Sequence, residues 1–363
     1  MYLIIYKHCD KFSVNLSHSI NFINHPSIHF FMENLLPIEK AKRETVNKLK
    51  TEFTSEKYGL SPDKRPIKDL IDYGIINIDK PDGPTSHQVS YYVQKILNLD
   101  KSGHSGTLDP GVTGTLPVAT GRATRIVQAL LPEGKEYIGI MHLHQEVPED
   151  KIREACQSFV GKIKQLPPIR SAVKRQMRYR NVYYFEILEI EEKDIFFRVG
   201  TQAGTYIRKL CHDIGAKLGT GAHMSELRRT KVGHFNESNI VTMHDLADAY
   251  WLWKNEGNEK FIRKCIHPIE YAVKLMPKIW VRDSAVDTIC HGANLGMPGI
   301  VKLETGIEKD RQVAFMTLKG ELVGLGKSLT STDDMLKKEK GLAAKTEKVF
   351  MLPGTYPKMD KTE

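Results

Sequence analysis

Residues 101–125 read KSGHSGTLDPGVTGTLPVATGRATR, and this stretch decides how the rest of the chain is understood. Gly103, Gly106, Gly111, Gly114 and Gly121 permit tight bends and a close approach of backbone to a ligand. Asp109 lies between Leu108 and Pro110. The proline has no N–H to donate, so Asp109 is not in a helix interior. A carboxylate held in a tight loop can serve as nucleophile or base. Taken alone, an Asp-Pro in a glycine-rich loop is more often a turn than a nucleophile. Two familiar patterns are absent. Lys101-Ser102 precedes the glycines, so there is no Walker phosphate loop. Gly106 directly follows Ser105, so there is no G-x-S-x-G elbow.

On the N-terminal side, residues 74–78 (GIINI) form a short apolar strand closed by the turn KPDGP at 80–84. Thr85 or Ser86 then caps a helix over 89–97. On the C-terminal side, strands are predicted over 136–143, 183–190 and 195–200. Helices are predicted from Pro148 to about Val160 and over 207–218, the second stopped by Gly219 and Gly221. This mixture implies an α+β domain. From Lys278 onward, short glycine-punctuated strands (299–303, 312–316, 322–326) predict a small β-barrel-like module, with the boundary near 270–278.

The loop and its flanks resemble one enzyme family. Residues 103–125 are similar to the active-site motif of the pseudouridine synthases of the tRNA T-loop group (the tRNA pseudouridine synthase B family), and most closely to its archaeal and eukaryotic dyskerin branch. GIINIDKPDGPTSHQVS (74–90) resembles the family's first motif and KEYIGIMHL (135–143) its tyrosine-bearing strand. PPIRSAVKRQMRYR (167–180) resembles a substrate-facing loop. GTYIRKLCHDIG (204–215) and GAHMSELRRTKVG (221–233) resemble the last catalytic motifs. Chance agreement of the loop and five further motifs in the family's order is negligible. The resemblance spans about 33–352 and implies a mixed, mostly antiparallel sheet core flanked by helices. It also implies a C-terminal PUA module, a small RNA-binding pseudo-barrel, over 278–352.

What the resemblance implies for individual residues is specific. Asp109 is the catalytic aspartate, Tyr137 the tyrosine that stacks on the target base, and Arg208 the arginine that pairs with the carboxylate. Tyr206 and Leu227 line the base pocket. His104 positions the flipped nucleotide, and Lys80 is a basic substrate-site residue. Arg208 would then hold the carboxylate ionised within an apolar pocket. No cofactor and no metal is called for. The substrate would be tRNA, or rRNA within a box H/ACA ribonucleoprotein, where a guide RNA and small accessory proteins are the partners. In dyskerin-type relatives the N-terminal arm packs on the PUA module.

Composition agrees with a polyanionic partner. Lys and Arg number 53 against 44 Asp and Glu, a net charge of +9. The six lysines Lys327, Lys337, Lys338, Lys340, Lys345 and Lys348 add positive charge to the C-terminal module. No apolar run approaches a membrane span. Cys9, Cys156, Cys211, Cys265 and Cys290 are odd in number, with no C-x-x-C. Reduced thiols in a cytoplasmic protein are therefore expected, not a disulfide framework or a zinc site. Residues 1–31 carry only Lys7, Asp10 and Lys11 as charges, and at Met32 the composition changes abruptly. Translation is expected to begin at Met32, with 1–31 a disordered or misassigned extension, 32–73 an arm and 74–270 the catalytic domain.

Overall fold

The computed structural model describes residues 34–167 and 175–358. The extension over 1–31 and the middle of the 167–180 motif lie outside the described residues. One unit runs from Leu36 to Glu363. After a helical turn at Pro37–Lys40 come a short strand in the arm, β1 (Thr45–Asn47), a short helix at Ile67–Asp72 and then β2 (Gly74–Lys80). Three isoleucines of β2, all fully buried, explain why that segment is extended and internal. Helix α1 (Ser86–Ile96) follows. Thr85 is its cap, accepting from the Gln88 N–H while Gln88 reaches back, and Ser86 is freed for another task.

Next come β3 (Ser102–His104), β4 (Thr113–Thr120), β5 (Lys135–Leu143), α2 (Glu149–Gln157), β6 (Gly161–Gln165), β7 (Arg178–Glu191) and β8 (Asp194–Thr201). Helix α3 (Ile207–Leu218) has the predicted bounds and ends on Gly219 at φ 77°, the left-handed position that glycine adopts without a Cβ clash. Strand β9 (Ala222–Val232), β10 (Phe235–Asn236), helices α4 (Met243–Glu256) and α5 (Glu259–Cys265), and β11 (His267–Pro268) complete this half.

These strands form one sheet in the order β11-β2-β4-β9-β5-β8-β7-β6, with β3 alongside β4 and β10 alongside β9. The β4–β9 contact is parallel and its neighbours are antiparallel, which is the mixed sheet expected. Helices α2 and α3 cover Met141, Leu143, Ile195, Phe197 and Leu227. Helices α1, α4 and α5 cover Ile76, Ile78, Leu116 and Val118 on the other half. The catalytic-motif loop, residues 105–112, lies between β3 and β4, where these two cores meet.

The C-terminal half contains β12 (Lys278–Val281), α6 (Asp283–Cys290), β13 (Leu295–Gly296), β14 (Ile300–Glu304), β15 (Gln312–Met316), β16 (Leu322–Ser328), α7 (Thr332–Lys337) and β17 (Leu342–Val349). They make a seven-stranded sheet in the order β1-β14-β12-β15-β16-β17-β13. Its outer strand comes from the arm, Thr45–Asn47 pairing with Glu304–Lys302. Lys48 donates to the carbonyls of Met297 and Lys338, and Asp283 accepts from Thr54 and the Ser55 N–H. The two sheets share apolar contacts. Ile75, Ala119, Ile126 and Val273 cluster with Met316, Leu322, Leu325 and Phe350. A buried Arg65–Glu270 fork, whose carboxylate also accepts the Leu322 N–H, seals the junction.

Candidate active site

The loop bearing Asp109 is held by side chains on four different elements. Leu108 and Val112 are both buried in the core that contains Tyr137, Ile207 and Leu227. With these two side chains turned inward, each worth about 1.5–3 kcal/mol of burial, the intervening Asp109 is turned outward. Ser86, at the start of α1, grips the main chain of Leu108 from both sides. Its hydroxyl accepts the Leu108 N–H at 2.8 Å and donates to the Leu108 carbonyl at 3.3 Å.

Lys80 ends β2 and is fully buried. Its ammonium donates to the carbonyls of Pro110 (2.7 Å), Val112 (2.8 Å) and Pro81 (2.9 Å). Burial pushes the Lys80 amine below its ordinary range. This placement corrects the expectation of a substrate-contacting role: Lys80 grips the loop from beneath and presents nothing to solvent.

Asp109 meets Arg208 directly. The Arg208 Nη2 donates to Asp109 Oδ2 at 2.6 Å. Arg208 is the second residue of α3. The two side chains are 60% and 57% exposed. The expected apolar enclosure is therefore not met, and the ion pair lies at an open surface.

Tyr206 caps α3 and is fixed through its main chain. Gln165, buried at the end of β6, accepts the Tyr206 N–H and donates to the Tyr206 carbonyl. Leu227 is buried on β9 opposite Gly139 of β5, where a Cβ would lie 2.8 Å from the Leu227 side chain. Tyr137, on β5, is half-buried against the same core. His104 is paired edge-to-face with His87 at 4.8 Å, its Nε2 3.4 Å from His87 Nδ1. Burial, His87 and Arg229 together push the His104 imidazole down to about 4, so it is neutral at physiological pH.

Arg229 is the residue that sequence reasoning did not single out. It is 1% exposed and has no carboxylate partner among the described residues. Its Nε donates to the Thr115 carbonyl at 2.8 Å and its Nη2 to the Gly106 carbonyl at 3.2 Å, and the neighbouring Tyr137 favours its charged form. Burial lowers its pKa. One guanidinium thus joins the Asp109 loop, strand β4 and the tyrosine. Gly114 makes this possible: at φ 101°, a Cβ there would lie 2.2 Å from the Arg229 carbonyl. The only signal in the sequence was the Arg-Arg pair of the 221–233 motif. The first of the pair, Arg228, forms a fork with Asp79.

Comparison with known proteins identifies the family. The model of the TruB family pseudouridylate synthase N-terminal domain matches residues 94–207. The tRNA pseudouridylate synthase B C-terminal domain matches 208–274, a PUA domain 277–350 and a DKCLD (NUC011) domain 33–90. The chain belongs to the TruB family of pseudouridylate synthases, enzymes that isomerise uridine to pseudouridine in RNA. Among its relatives, the probable tRNA pseudouridine synthase B of Pyrococcus abyssi is 58% identical over 90% of this chain and 98% of the relative. That of Methanopyrus kandleri is 53% identical over 89% and 95%. The corresponding chain of a crystal structure of a Cbf5-Nop10-Gar1 complex is 55% identical, with a TM-score of 0.85 over 89% of this chain and 98% of that one. A structure of an H/ACA RNP bound to a substrate RNA containing 2′-deoxyuridine gives 52%, 0.85, 90% and 100%.

Proposed function

We propose that this protein isomerises uridine in tRNA and, as the catalytic subunit of a guide-RNA particle of the box H/ACA type, in rRNA, with Asp109 as the catalytic carboxylate. The observation that carries this reading is the Asp109–Arg208 contact at 2.6 Å on a loop gripped by Ser86, Lys80 and Arg229. The reaction breaks the N-glycosidic bond, turns the base and rejoins it through C5, so the nucleotide has to leave the helical stack first. Asp109 is assigned the attack on the nucleoside. Arg208 holds its charge and aim, and Tyr137 offers an aromatic face to the uracil. Tyr206 and Leu227 flank the base, and His104 meets the extruded nucleotide as a neutral imidazole. Lys80, Ser86 and Arg229 are positioning residues that act through the loop.

The relatives are named for tRNA, and the similar structures hold Nop10, Gar1 and H/ACA RNA. Both substrates and these partners are extended to this chain on that basis. No helix among the described residues is long and apolar enough to cross a membrane. A cytoplasmic location is proposed from the free cysteines among the described residues, Cys156, Cys211, Cys265 and Cys290. Tritium release from uridine-labelled tRNA and from a guide-matched rRNA fragment, with and without guide RNA and accessory proteins, tests the reading. Wild type is expected to release tritium from both. Asp109→Asn is expected to bind RNA and release none; turnover by that variant near the wild-type rate refutes the assignment.

A further inference from the structure

Helix α1 does more than brace the loop. Its buried face (Ser86, Val89, Ser90, Val93) packs inward, while His87, Tyr91 and Lys95 follow one another at i, i+4 and i+8 on the opposite side. Tyr91 is 50% exposed and its neighbour Tyr92 41%. The Lys95 ammonium lies 5.2 Å from the Tyr91 ring centre. Helix α1 contains no acidic residue, and Lys101 follows it on the surface. The row starts at the active site, since His87 is the residue that pairs with His104.

From this we infer that the outer face of α1 is a docking track for the unpaired nucleotides that flank the target uridine, with Tyr91 as a base-stacking platform and Lys95 as a phosphate contact. The inference rests on the proposed RNA-modifying reading of Asp109. Two observations favour RNA as the occupant. The face combines π surface with positive charge, the pair of features that single-stranded nucleic acid uses. It is also continuous with the place where the extruded nucleotide has to enter. A solvated helix face would have no need of two exposed tyrosines side by side.

The test uses the full chain and an RNA carrying the target uridine, with 2-aminopurine at successive flanking positions. Kd, KM and kcat are measured together. Tyr91→Ala is expected to raise Kd and KM about tenfold while leaving kcat at saturating RNA within about twofold, and to abolish the quenching of a flanking 2-aminopurine. Tyr91→Phe, which keeps the ring, should bind as wild type does. Lys95→Gln should flatten the slope of log Kd against log salt by about 0.7. Unchanged Kd and KM in Tyr91→Ala overturn the track. So does a Tyr91→Ala defect confined to capture of accessory proteins, which would give the face to a protein. Wild type that binds RNA but forms no pseudouridine refutes the reading of Asp109 instead, and Kd still decides the track.

Discussion

Lys80→Met separates two roles for one residue. Methionine keeps an unbranched apolar stem close to that of lysine and removes the ammonium. Three buried carbonyls, those of Pro81, Pro110 and Val112, then lose their donor. Each unsatisfied acceptor costs about 1–3 kcal/mol. The desolvation of the buried ammonium, several kcal/mol, disappears with it. The balance is a destabilisation of about 2–4 kcal/mol. Two of the three carbonyls, those of Pro110 and Val112, follow Asp109 in the same loop, so much of that loss falls on the loop itself. A carboxylate displaced by about 1 Å loses about 100-fold in rate. The expected outcome in a tritium-release assay is therefore a kcat down by about 100-fold with KM for RNA nearly unchanged, in a protein whose circular dichroism spectrum is wild-type. A variant with normal kcat and a raised KM would show that Lys80 touches RNA and would refute the loop-support reasoning. A variant indistinguishable from wild type in rate and melting temperature would refute it as well.

Other perturbations follow from the same geometry. Arg208→Met leaves Asp109 without its cation; kcat is expected to collapse while the melting temperature barely moves, because an ion pair this exposed adds at most about 1 kcal/mol to stability. Arg229→Met combined with Tyr137→Phe should give a kcat loss smaller than the product of the single losses, since each variant removes one end of the same contact; full additivity in a double-mutant cycle would count against the coupling. His104 is held down to about 4 in the folded protein, below its unfolded value of about 6.5. Its neutral form is the one folding favours, so its stability contribution is complete above about 6.5 and is lost as pH falls toward 4. The C–H resonances of His104 should therefore stay flat between pH 5 and 8, and His104→Gln should flatten the acid limb of the melting curve.

The sequence spoke clearly where local chemistry and tertiary context agree. Helix α3 was legible because its apolar periodicity ends at Gly219, and α1 because Thr85 supplies a cap. The predicted second helix stops earlier than expected, at Gln157. Strand β4 went unread as a strand. Its segment TGTLPVAT contains a glycine and a proline, and all eight residues are buried. A strand between β2 on one side and β3 and β9 on the other shows no polar–apolar alternation to find. Asp109, Arg208 and Tyr137 could be picked out only as members of an ordered set of motifs. Arg229 could not be picked out at all, because its burial depends on Thr115, Gly106 and Tyr137 converging from separate segments.

That convergence also accounts for the open surface at Asp109. The rigid parts of the site are beneath the loop, where Lys80 and Arg229 are dry and hydrogen-bonded. The reactive pair is above it, more than half exposed. In water a carboxylate and a guanidinium attract each other only weakly. An extruded uridine laid over Tyr137 would displace that water and lower the local dielectric, so the same 2.6 Å contact would strengthen at the moment the carboxylate has to act. The apolar enclosure expected from the sequence is then half protein and half substrate. On the proposed reading Tyr137 is the protein's half, backed by the buried Leu108 and Leu227, and the nucleobase would be the lid.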